Sequence, residues 1–124
     1  MGVLDSFELT ESHAVFRPVG CVSLQQAVQM VIAAIVHARE QNIRNLLADL
    51  TGLTGFPSPS LVTRCQLVKD GAQASAGVVR VAMVVRPEIM DPQKIGVLVG
   101  RHVGLVCNVF LTEPEAVAWI QSIS

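Results

Sequence analysis

RNLLADLTGLTGFPSPSL, residues 44–61, carries three signals in one passage. A short apolar run ends at Asp49, and a loop rich in Thr and Gly follows. Ser58 with Pro59 then gives a helix-start signal, a capping side chain before proline at the first helical position. The stretch reads as a buried strand that delivers a polar loop to a helix N-terminus. Amides of a first helical turn have no intrahelical acceptor, so this strand end suits a phosphate, a carboxylate or a phosphorylated hydroxyl.

Upstream, apolar/polar alternation over 7–10 and 13–17 flanks the polar pair Glu11-Ser12 and predicts two antiparallel strands joined by a tight turn, ended by Pro18 and Gly20. Cys21 and Val22 read as a further strand segment. Ser23 is a predicted N-cap, with Gln26 completing a capping box, for a helix from Leu24 to about Gln41. Leu24, Ala27, Val28, Val31, Ile35 and Ala38 share the face that packs on the sheet. Ile32 and Val36 lie on the other face with Gln25, Gln29 and Arg39, which fits either a homodimer contact or scattered exposed apolar residues. Asn42 closes the helix. It connects the Cys21 segment to the strand at 44–50, a right-handed βαβ crossover if the two strands are parallel.

Downstream, Pro59 to about Ala74 repeats the helical pattern, with Gly71 and Gly77 bracketing its end. Val78 to Val85 is a second continuous apolar strand. Asp91-Pro92 opens a third helix that Gly104 ends, and Leu105 to Phe110 is a last strand. Thr112 with Glu115 caps a final helix carrying Val117, Trp119 and Ile120. This alternation predicts an α/β fold, a single-layer mixed β-sheet of about five strands flanked by about four helices, with residues 1–124 forming one domain.

Apolar residues make up 51% of the chain and charged ones 15%, well below the usual quarter. Either the core is large for the size or another subunit covers apolar surface. A net charge of −1 supplies no field to gather nucleic acid or an anionic membrane. Cys21, Cys65 and Cys107 are odd in number and lie among apolar neighbours, which reads as buried free thiols in a reducing cytosol. Asp5 and Glu8 interrupt any signal-peptide pattern, and the longest apolar stretch, Met30 to Val36, is too short to span a bilayer. The expectation is a cytoplasmic protein without membrane insertion.

Ligands of open α/β sheets bind beyond the carboxyl ends of parallel strands. Three segments converge there: 49–60, 86–91 and 111–113. Their candidate residues are Asp49, Thr51, Thr54, Ser58, Ser60, Arg86, Glu88 and Asp91, with Arg64 and Lys94 a turn into their helices. Each also has a plain structural reading: Ser58 as a helix cap, Asp49 as acceptor for loop amides, Arg86 and Glu88 as a mutual ion pair. There is no Gly-Lys-Thr or Gly-Lys-Ser phosphate loop, no Gly-x-Ser-x-Gly elbow and no Cys or His pair at metal-ligand spacing. Neither a cofactor, a metal nor a catalytic set is expected.

In this segment order the chain resembles the SpoIIAA-like family, within the wider STAS group of anti-sigma factor antagonists and anion-transporter domains. The passages that carry the resemblance are LLADLTGLTGF (46–56), VAMVVRPE (81–88), DPQKIGV (91–97) and VFLTEPEAVAWI (109–120). The resemblance implies a mixed sheet flanked by helices in a small cytoplasmic protein. STAS antagonists carry an Asp-hydrophobic-Ser/Thr strand end and then Asp-Ser-Ser-Gly opening the next helix, with one serine phosphorylated. Asp49-Leu50-Thr51 matches the first pattern, and Pro57-Ser58-Pro59-Ser60 falls on the second. Ser58 meets the first serine, while prolines replace the acid and the second serine, the usual acceptor. Ser58 and Ser60 are left as the candidate phosphoacceptors.

The function so read is a non-enzymatic regulatory or ligand-binding module. It binds a partner protein or small anion through Asp49, Thr51, Thr54, Ser58, Ser60, Arg64, Arg86 and Glu88, with homodimerisation through Ile32 and Val36. The alternative is a carrier of an apolar ligand such as a lipid, suggested by the excess of Val, Ile, Met and Ala. A small enzyme with Asp49, Glu88 or Asp91 as base is a third reading that no spacing requires.

Overall fold

The computed structural model describes residues 7–123. In chain order the elements are β1 (Phe7–Leu9), β2 (Ala14–Phe16), β3 (Gly20–Cys21), α1 (Leu24–Glu40), β4 (Asn45–Asp49) and β5 (Leu53–Thr54). They continue with α2 (Leu61–Ser75), β6 (Arg80–Val84), α3 (Ile95–Val103), β7 (Cys107–Phe110) and α4 (Glu113–Ser122).

The main sheet has the order β1-β2-β4-β6-β7. β1 and β2 form the predicted antiparallel hairpin with Phe7 opposite Phe16, and the other neighbours are parallel. The sheet is therefore mixed, of five strands with four helices, as the sequence predicted. β4 and β6 are buried on both faces, which explains their unbroken apolar runs. Alternation along β4 sends Leu46 and Ala48 into the larger core, against Val31, Ile35 and Ala38 of α1 and Val68 of α2. Leu47 points the other way, joining Val15, Ala82 and Val84 beneath Ala116 and Ile120 of α4. One face thus carries α1, α2 and α3, and the opposite face carries α4.

The helix from Leu24 begins as its capping box predicts, with Ser23 Oγ accepting from Gln26 N at 3.1 Å and Gln26 Oε1 accepting from Ser23 N at 2.9 Å. Asn42, at φ 58°, ends it in the left-handed conformation.

Five local expectations are corrected. Of the three cysteines expected to be buried only Cys107 is, with Cys21 exposed and Cys65 half-buried. The Cys21 segment does not enter the main sheet; β3 pairs with β5, inside the stretch read as loop, so α1 crosses from β2 to β4. Close approach there requires Gly55, since a Cβ on it would lie 2.7 Å from Cys21 Sγ at a φ of +99°. α2 starts two residues later than predicted and is capped by Ser60, not Ser58. Ser60 Oγ accepts from Thr63 N at 3.2 Å, and Arg64 Nε donates to Pro59 O at 3.1 Å, so the carbonyl and amide that would have closed a turn from Pro59 are both taken by side chains. Gly71 sits inside α2, buried against Leu105 and Ile35, and the helix ends at Ala76. Finally, α3 begins at Ile95, because Asp91 closes a turn instead, with Lys94 N donating to Asp91 O at 3.0 Å and Lys94 at φ 50°.

Candidate functional site

The predicted rim is not one surface. Because Asp49 follows the alternation of Leu47, its side chain lies on the α4 face, whereas Leu50, Phe56, Arg64 and Asp91 line a cavity on the other.

On the α4 face, Asp49 Oδ1 accepts from Thr51 N at 3.0 Å and from Thr51 Oγ1 at 2.6 Å. Glu113, the first residue of α4, receives both arms of the Arg17 fork, Nε to Oε2 and Nη2 to Oε1, each at 2.8 Å. Arg17 Nη1 also donates to Glu8 at 3.4 Å. The Arg17 hydrogen bonds hold the Glu113 carboxyl down at about 2. Partial burial, and then the hydrogen bond with Glu113, push Asp49 upward. Glu113 and Asp49, hydrogen-bonded to each other, therefore differ in proton affinity, and only Glu113 of the two is paired with Arg17. Neither Arg17 nor Glu113 was among the predicted site residues. The available signal was an arginine at the end of β2 and an acid opening the helix after β7, with β4 and β6 between the two strands.

On the other face, α1, α2, α3 and the sheet enclose a cavity of about 110 Å³, walled by Leu24, Val28, Val31, Leu50, Phe56, Leu67, Val68, Met83, Val85, Ile89, Met90, Val97 and Val109. Its polar lining comes from Thr63, Arg64, Asp91 and Lys94. Arg64 ties the segment before α2 to the segment after β6: Nη2 donates to Ser58 Oγ at 2.8 Å and to Ile89 O at 2.9 Å. Asp91 accepts from Ile95 N at 2.9 Å and Gln93 N at 3.1 Å, and these bonds, with a smaller pull from Arg64, lower its carboxyl below the usual range. Lys94 Nζ leaves the cavity to donate to Asn108 Oδ1 at 3.0 Å, 5.3 Å from the centre of the Phe110 ring.

The remaining candidates are dispersed. Arg86 and Glu88 pair with each other at 3.0 Å, the plain reading of that couple. Thr54 is exposed on β5, where its hydroxyl faces Gly20 O at 3.5 Å. Ser60 is occupied as a cap and donates to Thr63 Oγ1 at 3.1 Å. Ile32 and Val36 are half-buried against the larger core, and Ile32 borders a shallow groove between α1 and α2. Leu61 and Val62, 57% and 79% accessible, are adjacent exposed apolar residues on the first turn of α2, while Val19 at 82% and Leu9 at 69% are exposed singly elsewhere. Among the described residues no cluster of three or more His, Cys, Asp or Glu could hold a metal, and no helix is long and apolar enough to cross a membrane.

No protein-family model matches the chain, and no curated protein matches it by sequence. Among solved structures it is similar to the anti-sigma factor antagonist SpoIIAA in its unphosphorylated form. The identity is 19% and the TM-score 0.51, over 93% of this chain and 96% of that one. The likeness establishes a SpoIIAA-like STAS fold, the architecture implied by the resemblance at 46–56, 81–88, 91–97 and 109–120.

Proposed function

We propose that the protein is a non-enzymatic regulatory module that meets a partner protein across the start of α2 and the segment leading into it. The observation that carries the reading is the exposure of Leu61 and Val62, 57% and 79%, on a helical turn with no acid of its own and with Ser58 and Ser60 beside it. Adjacent branched side chains held in water on the first turn of a capped helix form a contact surface, and the two amides ahead of Thr63 suit an acceptor from a partner. That the similar fold belongs to an anti-sigma factor antagonist supports a regulatory use of this corner.

Of the two candidate phosphoacceptors, Ser58 fits better. Its hydroxyl already accepts from Arg64 at 2.8 Å, so a phosphate there would form a charge-assisted pair with the guanidinium, whereas Ser60 is needed as the cap of α2. The acids also support a non-catalytic reading: Glu88 is paired with Arg86, Asp91 with two backbone amides, and Asp49 with Thr51.

A photo-crosslinking amino acid at Val62, compared in the source cells with one at Val106 on the far edge of the fold, tests this. The expected result is a discrete adduct from position 62 that is absent from position 106 and diminished by Ser58→Asp. An adduct of twice the chain mass would identify the partner as a second copy. Equal or absent adducts at both positions would refute the reading.

A further inference from the structure

We propose that the cavity beneath α2 binds a small carboxylic acid with an apolar body of roughly four to five carbons, the carboxylate lying on Arg64. This stands independently of the partner surface.

The body is set by the walls. Val28, Leu50, Phe56, Leu67, Met83 and Val97 offer no hydrogen bond to water, and a cavity lined in this way stays dry and accepts hydrocarbon. Its volume of about 110 Å³ is of the order that admits a short chain and is too small for a long acyl chain or a whole phospholipid. Met83 and Met90, unbranched and polarizable, let the walls adapt to the shape of the guest.

The head group is set by charge. Arg64 lines the cavity and hydrogen-bonds through Nε and Nη2, while Nη1 has no hydrogen bond among the described residues. Lys94, the second cation, is held on Asn108, and Asp91 has one carboxylate oxygen on Gln93 N and the other on Ile95 N. The remaining nitrogen, Nη1, offers a charge-assisted hydrogen bond to one oxygen of a monoanion; a phosphate dianion would require more positive charge than this wall supplies. The Arg64 contacts to Ser58, Pro59 and Ile89 fix the guanidinium before a ligand arrives, which lowers the ordering cost of binding.

The test is titration of the purified full chain with hexanoate and with hexan-1-ol, followed through the methyl signals of its methionines. Met83 and Met90 line the cavity and Met30 does not, so the chain carries its own control. Hexanoate is expected to shift Met83 and Met90 saturably and leave Met30 in place, with hexan-1-ol at least tenfold weaker. Arg64→Gln should weaken hexanoate at least tenfold and leave hexan-1-ol unchanged. Ala27→Leu, which fills the cavity from α1, should abolish both. Absence of saturable shifts, equal binding of the alcohol and the acid, or equal movement of Met30 would overturn the proposal. Should Ala27→Leu fail to fold, the acid/alcohol comparison on the wild type and on Arg64→Gln still decides it.

Discussion

Replacing Glu113 by Gln tests the coupling of the two carboxylates to Arg17. Glu113 has its carboxyl at about 2 against an ordinary 4.5, with the Arg17 fork as the largest cause. At about 1.4 kcal/mol per pH unit that difference corresponds to an upper limit of roughly 3.4 kcal/mol. Arg17 is 47% and Glu113 27% accessible, so solvent screening reduces the contribution to about 1–2 kcal/mol. Its sign follows from proton affinity. Folded Glu113 holds its proton less tightly than unfolded, so the stabilisation is complete above 4.5 and is lost as pH falls through about 2. Asp49 acts oppositely. Its raised carboxyl favours the protonated form, so its ionisation removes stability as pH rises through its folded value. His13, lowered mainly by burial and facing both Glu113 and Arg17, titrates close by. Urea unfolding followed by the lone Trp119, which packs on Phe110 at 5.9 Å, measures both variants. Glu113→Gln should lose about 1–2 kcal/mol at neutral pH and match the wild type near pH 2, whereas Asp49→Asn should be neutral or stabilising at neutral pH. A Glu113→Gln deficit that persists undiminished in acid would show that the bridge acts through packing, and the charge argument would fail.

Two further outcomes test the packing. Ser60→Ala should lower stability by about 1 kcal/mol in urea unfolding while Ser58→Ala stays within about 0.5, and the reverse order would return the cap of α2 to Ser58. Gly100→Ala would bring a Cβ to 2.8 Å from Leu105 O and 3.1 Å from Cys107 Sγ, so a loss of about 1–3 kcal/mol is expected despite the better helix propensity of Ala; an increase in melting temperature would contradict that contact.

The strand–helix order was legible because each element carries its own local signal. The Ser23/Gln26 box, the apolar runs at 45–49 and 80–84, and Gly104 at φ 84° stand where periodicity and capping placed them. What was hidden depends on contacts distant in sequence or on competing hydrogen bonds. The β3–β5 pair brings Cys21 beside Thr54, and two-residue segments leave no periodicity to read. The start of α2 turned on which acceptor Thr63 N would take, a choice settled by Arg64 from one turn further on. Arg17 and Glu113 are 96 residues apart, and nothing local to either announces the other.

The division of the rim follows from the two-residue period of β4. Asp49 and Leu50 are adjacent, so a strand that sends Asp49 toward α4 sends the chain after it toward α2, and residues that share a sheet edge need not share a site. The segment from Phe56 to Arg64 then has two sides. Phe56, Pro59, Thr63 and Arg64 line the cavity, while Ser58, Leu61 and Val62 face solvent. Arg64 joins the two directly, because the guanidinium on the cavity wall also holds the Ser58 hydroxyl at 2.8 Å. Any charge or contact that moves Ser58 therefore acts on the one group suited to an acid in the cavity, Ser58 being held by Nη2 and the acid lying on Nη1 of the same guanidinium. By linkage such an effect is equal in both directions, so a ligand beneath α2 and a partner above it would report on each other through a single side chain.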